Sequence, residues 1–218
     1  MSREVLRGSV VGPSGGLRCA QLVIAAGRIA EIELLGPGDG ETVIAPGFID
    51  LQVNGFAGHD SREGPEAIAA ISEALPSTGV TGFLPTLISR PVAEGQAFVQ
   101  AVAAATAPGA RVLGAHIEGP FLNPAYRGAH DERCLDTPAP DRIDRVLRQP
   151  PRMLTLAPEL DGGLEAVRRL TCAGVLVSAG HSGATYDEGL AAFEAGARFA
   201  THLFNAMPPL HHRAPGLV

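Results

Sequence analysis

Three short β-prone runs with Val, Ile and Leu set among polar residues, 4–11, 19–25 and 28–35, open the chain, and each predicts a β-strand. Gly12-Pro13-Ser14-Gly15-Gly16 separates the first two, and Ala26-Gly27 suits a tight hairpin between the second and third. Gly36-Pro37-Gly38-Asp39-Gly40 then breaks the pattern. The predicted product is a small antiparallel sheet with too little core to stand alone. From Ala45-Pro46-Gly47 onward the rhythm changes to strand, helix, strand. Strands are predicted at 48–53, 80–88, 111–117, 153–156, 175–179 and 198–202. Between them, 65–75 places Ile68, Ile71 and Leu75 on one helical face, and 92–105 does the same with Phe98, Val99 and Val102. Further helices are predicted at 141–147, 164–172 and 186–195. Strands alternating with helices in this way imply a parallel sheet covered by helices.

The placing of polar groups decides between an open sheet and a barrel. In a barrel, functional side chains emerge from the C-terminal ends of many strands. Here Asp50 and Gln52, Thr86, His116 and Glu118, Glu159, His181, and His202 with Asn205 all stand at such ends. Gly55-Phe56-Ala57-Gly58 follows the first barrel strand, but no GxGxxG opens a helix, so a dinucleotide-binding sheet is disfavoured. The expected fold is α/β: a (β/α)8 TIM-type barrel over 46–218, with six of its eight strands present, preceded by part of a small β-sandwich over 1–45.

Composition narrows the class. Lys+Arg number 17 against 23 Asp+Glu, a formal net charge of −6, and no basic stripe marks a nucleic-acid partner. No apolar run approaches the ~20 residues of a membrane span. Met1-Ser2-Arg3-Glu4 leads into no long apolar segment, so no signal peptide is expected. Cys19, Cys134 and Cys172 fit neither a disulfide framework nor a CxxC zinc site, and read as reduced thiols of a cytoplasmic protein.

Three strand ends carry the chemistry. Glu118 closes Ala115-His116-Ile117-Glu118, with His116 on the same face and Ile117 on the other. His181 follows Val177-Ser178-Ala179-Gly180, and His202 follows Phe199-Ala200-Thr201. Taken singly, the Glu reads as a capping or surface residue and each His as a structural one. Together they bring two imidazoles, on successive strands, and one carboxylate to three strand ends of the sheet, a donor set suited to a catalytic Zn²⁺ or similar divalent ion with a position left for water.

Ala45-Pro46-Gly47-Phe48-Ile49-Asp50-Leu51-Gln52-Val53-Asn54-Gly55 resembles the first-strand signature of the amidohydrolase superfamily. His116-Ile117-Glu118-Gly119-Pro120-Phe121-Leu122-Asn123, Gly180-His181-Ser182 and Thr201-His202-Leu203-Phe204-Asn205-Ala206-Met207 are similar to motifs of N-acetylglucosamine-6-phosphate deacetylases. The resemblance implies hydrolysis of an acetamide on a small amino-sugar phosphate, with Glu118, His181 and His202 holding one divalent metal ion, zinc before iron, manganese or cobalt. It implies that Ala129 and His130 face the substrate, that Asn205 and Ala206 meet the sugar, and that Arg213 meets the 6-phosphate. It implies a homodimer for the complete enzyme. His211 and His212 read as a solvated loop.

Two departures qualify what the resemblance implies. Many superfamily members carry His-x-His on strand one for a second metal, whereas Asp50-Leu51-Gln52 stands here, leaving Gln52 as the vestige of a second site. The strand-eight Asp that serves such deacetylases as general base has no counterpart before Val218. The sequence therefore reads as a fragment with little activity of its own and with unpaired edges on strands one and six. Two alternatives stay open: a non-catalytic remnant that binds metal or sugar phosphate, and another amidohydrolase activity. The chain contains no Lys, which removes the carbamate-bridged version of the latter.

Overall fold

The computed structural model describes residues 3–11, 16–37 and 42–218, which form two units divided between Gly47 and Phe48. The separator at 12–15, residues 38–40 of the second break and the Met1-Ser2 start lie outside the described residues.

The first unit is one four-stranded sheet. β1 (Arg3–Val11), β2 (Leu17–Ala25) and β3 (Arg28–Pro37) pair antiparallel in the order β3-β2-β1. Ala26 (φ 52°) and Gly27 (φ 71°) make the hairpin turn, both left-handed as the twist of paired strands requires. β4 (Val43–Ile44), which periodicity misses because it is two residues long, adds in parallel to β1. Gly8 permits this approach, since a Cβ there would lie 2.6 Å from the Thr42 carbonyl oxygen. Ala20, Leu22 and Val23 are buried, while Ile29, Ile32 and Leu34 are exposed.

The second unit is a curled parallel sheet with helices packed along it. It opens with β5 (Phe48–Val53), followed by a small hairpin of β6 (Gly55–Phe56) and β7 (His59–Asp60). The remaining strands are β8 (Val80–Leu87), β9 (Arg111–Val112), β10 (His116–Glu118), β11 (Met153–Leu156), β12 (Leu176–Ala179) and β13 (Phe199–Ala200). The sheet runs β5-β8-β10-β11-β12-β13, with β9 also paired to β8, so each successive β/α unit adds one strand beside the last. β5 and β13 are the edges, and Phe48 and Ile49 on β5 are exposed.

Helices α1 (Pro65–Ala74), α2 (Val92–Ala104), α3 (Pro140–Arg148), α4 (Gly163–Cys172) and α5 (Tyr186–Glu194) fall within a residue or so of their predicted spans. Pro65 and Pro140 begin two of them, where the absent N–H costs nothing. Thr185 and Glu188 close a reciprocal capping box on α5. Ile68, Ile71, Phe98 and Val102 pack with Phe83 and Ile117 into one core cluster. Ile143, Val167 and Leu170 pack with Leu154, Leu156 and Val177 into a second.

Two strand predictions need correction. The run 111–117 is broken between β9 and β10 at Gly114 (φ 124°), where a Cβ would lie 2.6 Å from that of Arg152. The run 198–202 is a strand only at Phe199–Ala200. His181 and His202 consequently lie two residues past the ends of β12 and β13, with φ 50° and 57°. Left-handed φ ends strand pairing there and turns both rings away from the ladder.

A candidate metal centre at the strand ends

Glu118 is the last residue of β10 and is buried, its side chain only 2% accessible. Its Oε1 lies 3.0 Å from His181 Nε2 and 2.9 Å from His202 Nε2. One ligand atom from each of the three residues falls within 4.8 Å of the other two. The spacing suits a single cation bound by one carboxylate oxygen and two imidazole nitrogens. His202 is the open side of the cluster, with 41% of its side chain exposed against 4% for His181.

The Tyr126 carbonyl orients His181, accepting from Nδ1 at 2.8 Å and leaving Nε2 to face Glu118. A carbonyl acceptor behind the ring is what fixes a ligating imidazole. The loop is clamped by Glu159, whose carboxylate accepts from the Ser182 hydroxyl at 2.6 Å and from the Asn123 side-chain amide at 2.9 Å. Asn123 N–H donates in turn to the His181 carbonyl at 2.9 Å. Positive φ at His181, His202, Phe204 (75°) and Ala206 (50°) concentrates backbone strain on the two loops that carry the histidines.

Charge and burial work against each other at Glu118. Burial would raise its carboxyl pKa, but hydrogen bonds from His130 and His181 outweigh that and hold it well below the usual carboxylate range. Burial would lower His181, yet its bonds to Glu118 and to the Tyr126 carbonyl raise it. A proton on His181 Nε2 would occupy the direction a cation would take, so metal uptake competes with protonation there.

Beneath the cluster runs a buried chain of polar groups. His116 Nδ1 donates to the Leu51 carbonyl at 2.9 Å, and Nε2 accepts from the Thr155 hydroxyl at 2.8 Å. Thr155 and Thr201 hydroxyls are 2.8 Å apart, and those of Thr201 and Ser178 are 2.7 Å apart. This chain ties β5, β10, β11 and β12 to the loop carrying His202. Burial pushes the His116 pKa down from 6.5 to about 4, so the ring is neutral in the folded chain. Because the folded pKa is lowered, the unfolded chain binds more protons between those two values, and stability falls as pH drops from 6.5 to about 4. The loss expected from this one group is roughly 3 kcal/mol. Raised His181 acts in the opposite sense but above pH 6.5, where the stability it contributes is lost as pH rises. Urea midpoints at neutral pH and near pH 4.5 check the effect. In a His116→Asn chain, which keeps a donor and an acceptor but no proton to gain, the pH slope should flatten; equal slopes would refute the assignment.

The other predicted site residues are placed less tightly. His130 is buried beside the triad, its Nε2 3.5 Å from Glu118 Oε2 and its ring 4.6 Å from that of His181. Ala129 is exposed next to it. Ala206 accepts from the Ser182 N–H at 3.1 Å, which brings the two histidine loops together, and Asn205 is exposed between them. Arg213 is exposed in a turn closed by the His211–Ala214 bridge, and among the described residues no hydrogen bond joins it to the triad. Gln52 is half-buried, its backbone N–H donating to Asp50 Oδ1 at 3.0 Å. Ser89, Thr155, Thr201 and Tyr126 are functional neighbours that sequence patterning misses. A signal exists for the hydroxyls, because Thr155 pairs in register with both Glu118 and Ser178 and so shares their layer. Nothing in sequence marks the carbonyl of Tyr126.

No protein-family model matches the chain. It is similar to an N-acetylglucosamine-6-phosphate deacetylase of Bos taurus, 42% identical over 190 residues, which cover 82% of this chain and 46% of that protein. It is similar to an N-acetylgalactosamine-6-phosphate deacetylase of Escherichia coli O157:H7, 37% identical over 94% of this chain and 57% of that one. Among solved structures, a mutant N-acetyl-D-glucosamine-6-phosphate deacetylase of Mycobacterium smegmatis in complex with N-acetyl-D-glucosamine-6-phosphate superposes with TM-score 0.87 at 32% identity, covering 100% of this chain and 60% of that one. The chain spans about half the length of the curated relatives it matches.

Proposed function

We propose that this chain, a homologue of the N-acetylglucosamine-6-phosphate deacetylases, carries the metal- and substrate-binding half of an amidohydrolase acting on N-acetyl-D-glucosamine 6-phosphate. The products would be glucosamine 6-phosphate and acetate. The observation that carries the reading is the convergence of Glu118, His181 and His202 at the C-terminal ends of parallel strands. In this reading residues 46–218 belong to a (β/α)8 barrel, residues 1–45 are part of a small β-sandwich, and the whole protein is a cytoplasmic homodimer.

Glu118, His181 and His202 would hold one divalent ion, zinc before iron, manganese or cobalt. The chemistry such an ion supplies is Lewis acidity toward the acetamide carbonyl and toward water. His130 would donate to the oxygen on which negative charge develops. Ala129, Asn205 and Ala206 would line the sugar, and the Arg213 guanidinium would take the phosphate in a fork of two hydrogen bonds. Proton transfer to and from the reacting centre would be the task of the strand-eight aspartate that the resemblance to these deacetylases implies. Gln52 offers only a neutral amide to a second cation, which argues for a single ion.

Calorimetric titration of the 218-residue chain tests the whole scheme. Zinc should bind near one equivalent, and the loaded chain should bind N-acetylglucosamine 6-phosphate, about tenfold or more weakly after Arg213→Ala, since a charged hydrogen-bond pair is lost. Two zinc equivalents would overturn the single-ion reading. No sugar-phosphate binding at about millimolar ligand, near the upper end of ordinary substrate affinities, would overturn the substrate.

A further inference from the structure

The imidazoles that meet Glu118 are wired in opposite senses. His181 presents Nδ1 to the Tyr126 carbonyl, and a carbonyl only accepts, so Nδ1 carries a proton and Nε2 is the atom available to a cation. His130 is reversed. The backbone N–H of Ser89 points at its Nδ1 from 3.1 Å, and the Ser89 hydroxyl stands 2.7 Å from the same atom. An amide N–H only donates, so Nδ1 must offer its lone pair. In the neutral ring the proton therefore sits on Nε2, 3.5 Å from Glu118 Oε2. Moving it to Nδ1 would set two hydrogens against each other.

Ser89 is itself held in place. It is fully buried two residues past the end of β8, with its hydroxyl 3.3 Å from the Glu118 carbonyl oxygen. The hydroxyl donates mainly to the nearer partner, His130 Nδ1, and shares its hydrogen more weakly with the Glu118 carbonyl. The bare Cα of Gly119 makes the space, because a Cβ there would lie 2.1 Å from Ser89 Oγ. The residue that follows the carboxylate ligand thus bounds the pocket of the hydroxyl that faces His130.

We propose that Ser89 is a positioning residue that locks His130 as its Nε2–H tautomer, making His130 a hydrogen-bond donor to substrate rather than a fourth metal ligand. The part played toward substrate rests on the deacetylase reading; the tautomer does not. A ring with a free Nε2 lone pair at this distance from Glu118 would compete for the cation and fill the position that a substrate oxygen needs. Ser89 prevents this with a backbone amide, a donor that cannot reverse its role.

The test is the nitrogen-15 spectrum of the histidine rings in the full 218-residue chain at mildly alkaline pH, without metal and with Zn²⁺. A His130→Gln chain assigns the signals. In the unaltered chain His130 should show a protonated, pyrrole-like Nε2 and an unprotonated Nδ1, and both should keep that character when Zn²⁺ shifts His181 and His202. Ser89→Ala removes one of two donors to Nδ1 and should move the tautomer ratio roughly three- to tenfold toward Nδ1–H, the worth of one hydrogen bond. Ser89→Thr, which keeps the hydroxyl, should restore it. A protonated Nδ1 in the unaltered chain, an unchanged ratio in Ser89→Ala, or a His130 Nε2 that loses its proton to Zn²⁺ would each overturn the proposal. Failure of the deacetylase reading would show itself elsewhere, as absent sugar-phosphate binding with the tautomer intact.

Discussion

A Glu118→Gln chain is expected to bind zinc at least about a hundredfold more weakly than the unaltered one. Changes to groups that merely orient metal ligands already cost about 10–100-fold, and this substitution removes a direct ligand, the one formal negative charge in the triad. The glutamine side chain keeps the shape and a carbonyl oxygen, so the loss reports charge and donor strength rather than packing. The pH response should change with it. In the unaltered chain zinc competes with the proton that Glu118 and the Tyr126 carbonyl stabilise on His181, so affinity falls as pH drops. With a neutral amide in place of the carboxylate that proton is held less firmly, and the weaker site should be less sensitive to pH. Chelator competition at about pH 8 and pH 6.5 measures both effects. Zinc affinity within about threefold of the unaltered chain would show that the ion, if held, is held elsewhere.

The elements that periodicity reports are legible in the sequence, and the contacts that hydrogen bonding decides are not. β5 and β11 occupy the predicted residues, because apolar runs bounded by Gly and Pro leave a strand little freedom to start elsewhere. The five helices declare themselves through their buried faces. That Glu118, His181 and His202 come together is also legible, since a carboxylate and two imidazoles at three strand ends of one parallel sheet are rare company. Their local geometry is not. Periodicity gives strands 175–179 and 198–202, but it carries no sign of the left-handed φ at His181 and His202, on loops held by contacts between residues distant in sequence: Asn123 with His181, Glu159 with Asn123 and Ser182, and Ser182 with Ala206. The break at Gly114 is hidden for the same reason, because the Arg152 side chain that fills the space comes from the next β/α unit. Alternation puts His116 on the correct face. Its neutrality can be read only with Leu51 and Thr155 in view on its two nitrogens.

Gly119→Ala is expected to destabilise the chain by roughly 3 kcal/mol or more, the sum of a strained left-handed backbone and broken buried hydrogen bonds. Gly119 has φ 89°, and its added methyl would lie 2.1 Å from Ser89 Oγ and 3.1 Å from Leu122 Cγ. Ser89 cannot rotate away without cost, because its hydroxyl is fixed between His130 Nδ1 and the Glu118 carbonyl. Gly174 supplies the comparison: with φ 82° it is equally left-handed, but a Cβ there meets nothing within 4 Å. Gly174→Ala should therefore cost only the conformational part, about 1 kcal/mol. The excess at Gly119 is the steric contribution, and Ser89→Ala should recover part of it in the double variant by deleting the atom that clashes. That non-additivity is the signature of direct contact. Urea midpoints of the unaltered chain, the three single variants and the double variant decide the matter: if Gly119→Ala is no worse than Gly174→Ala, Ser89 is not wedged as described, and the restraint on His130 must come from the backbone amide alone.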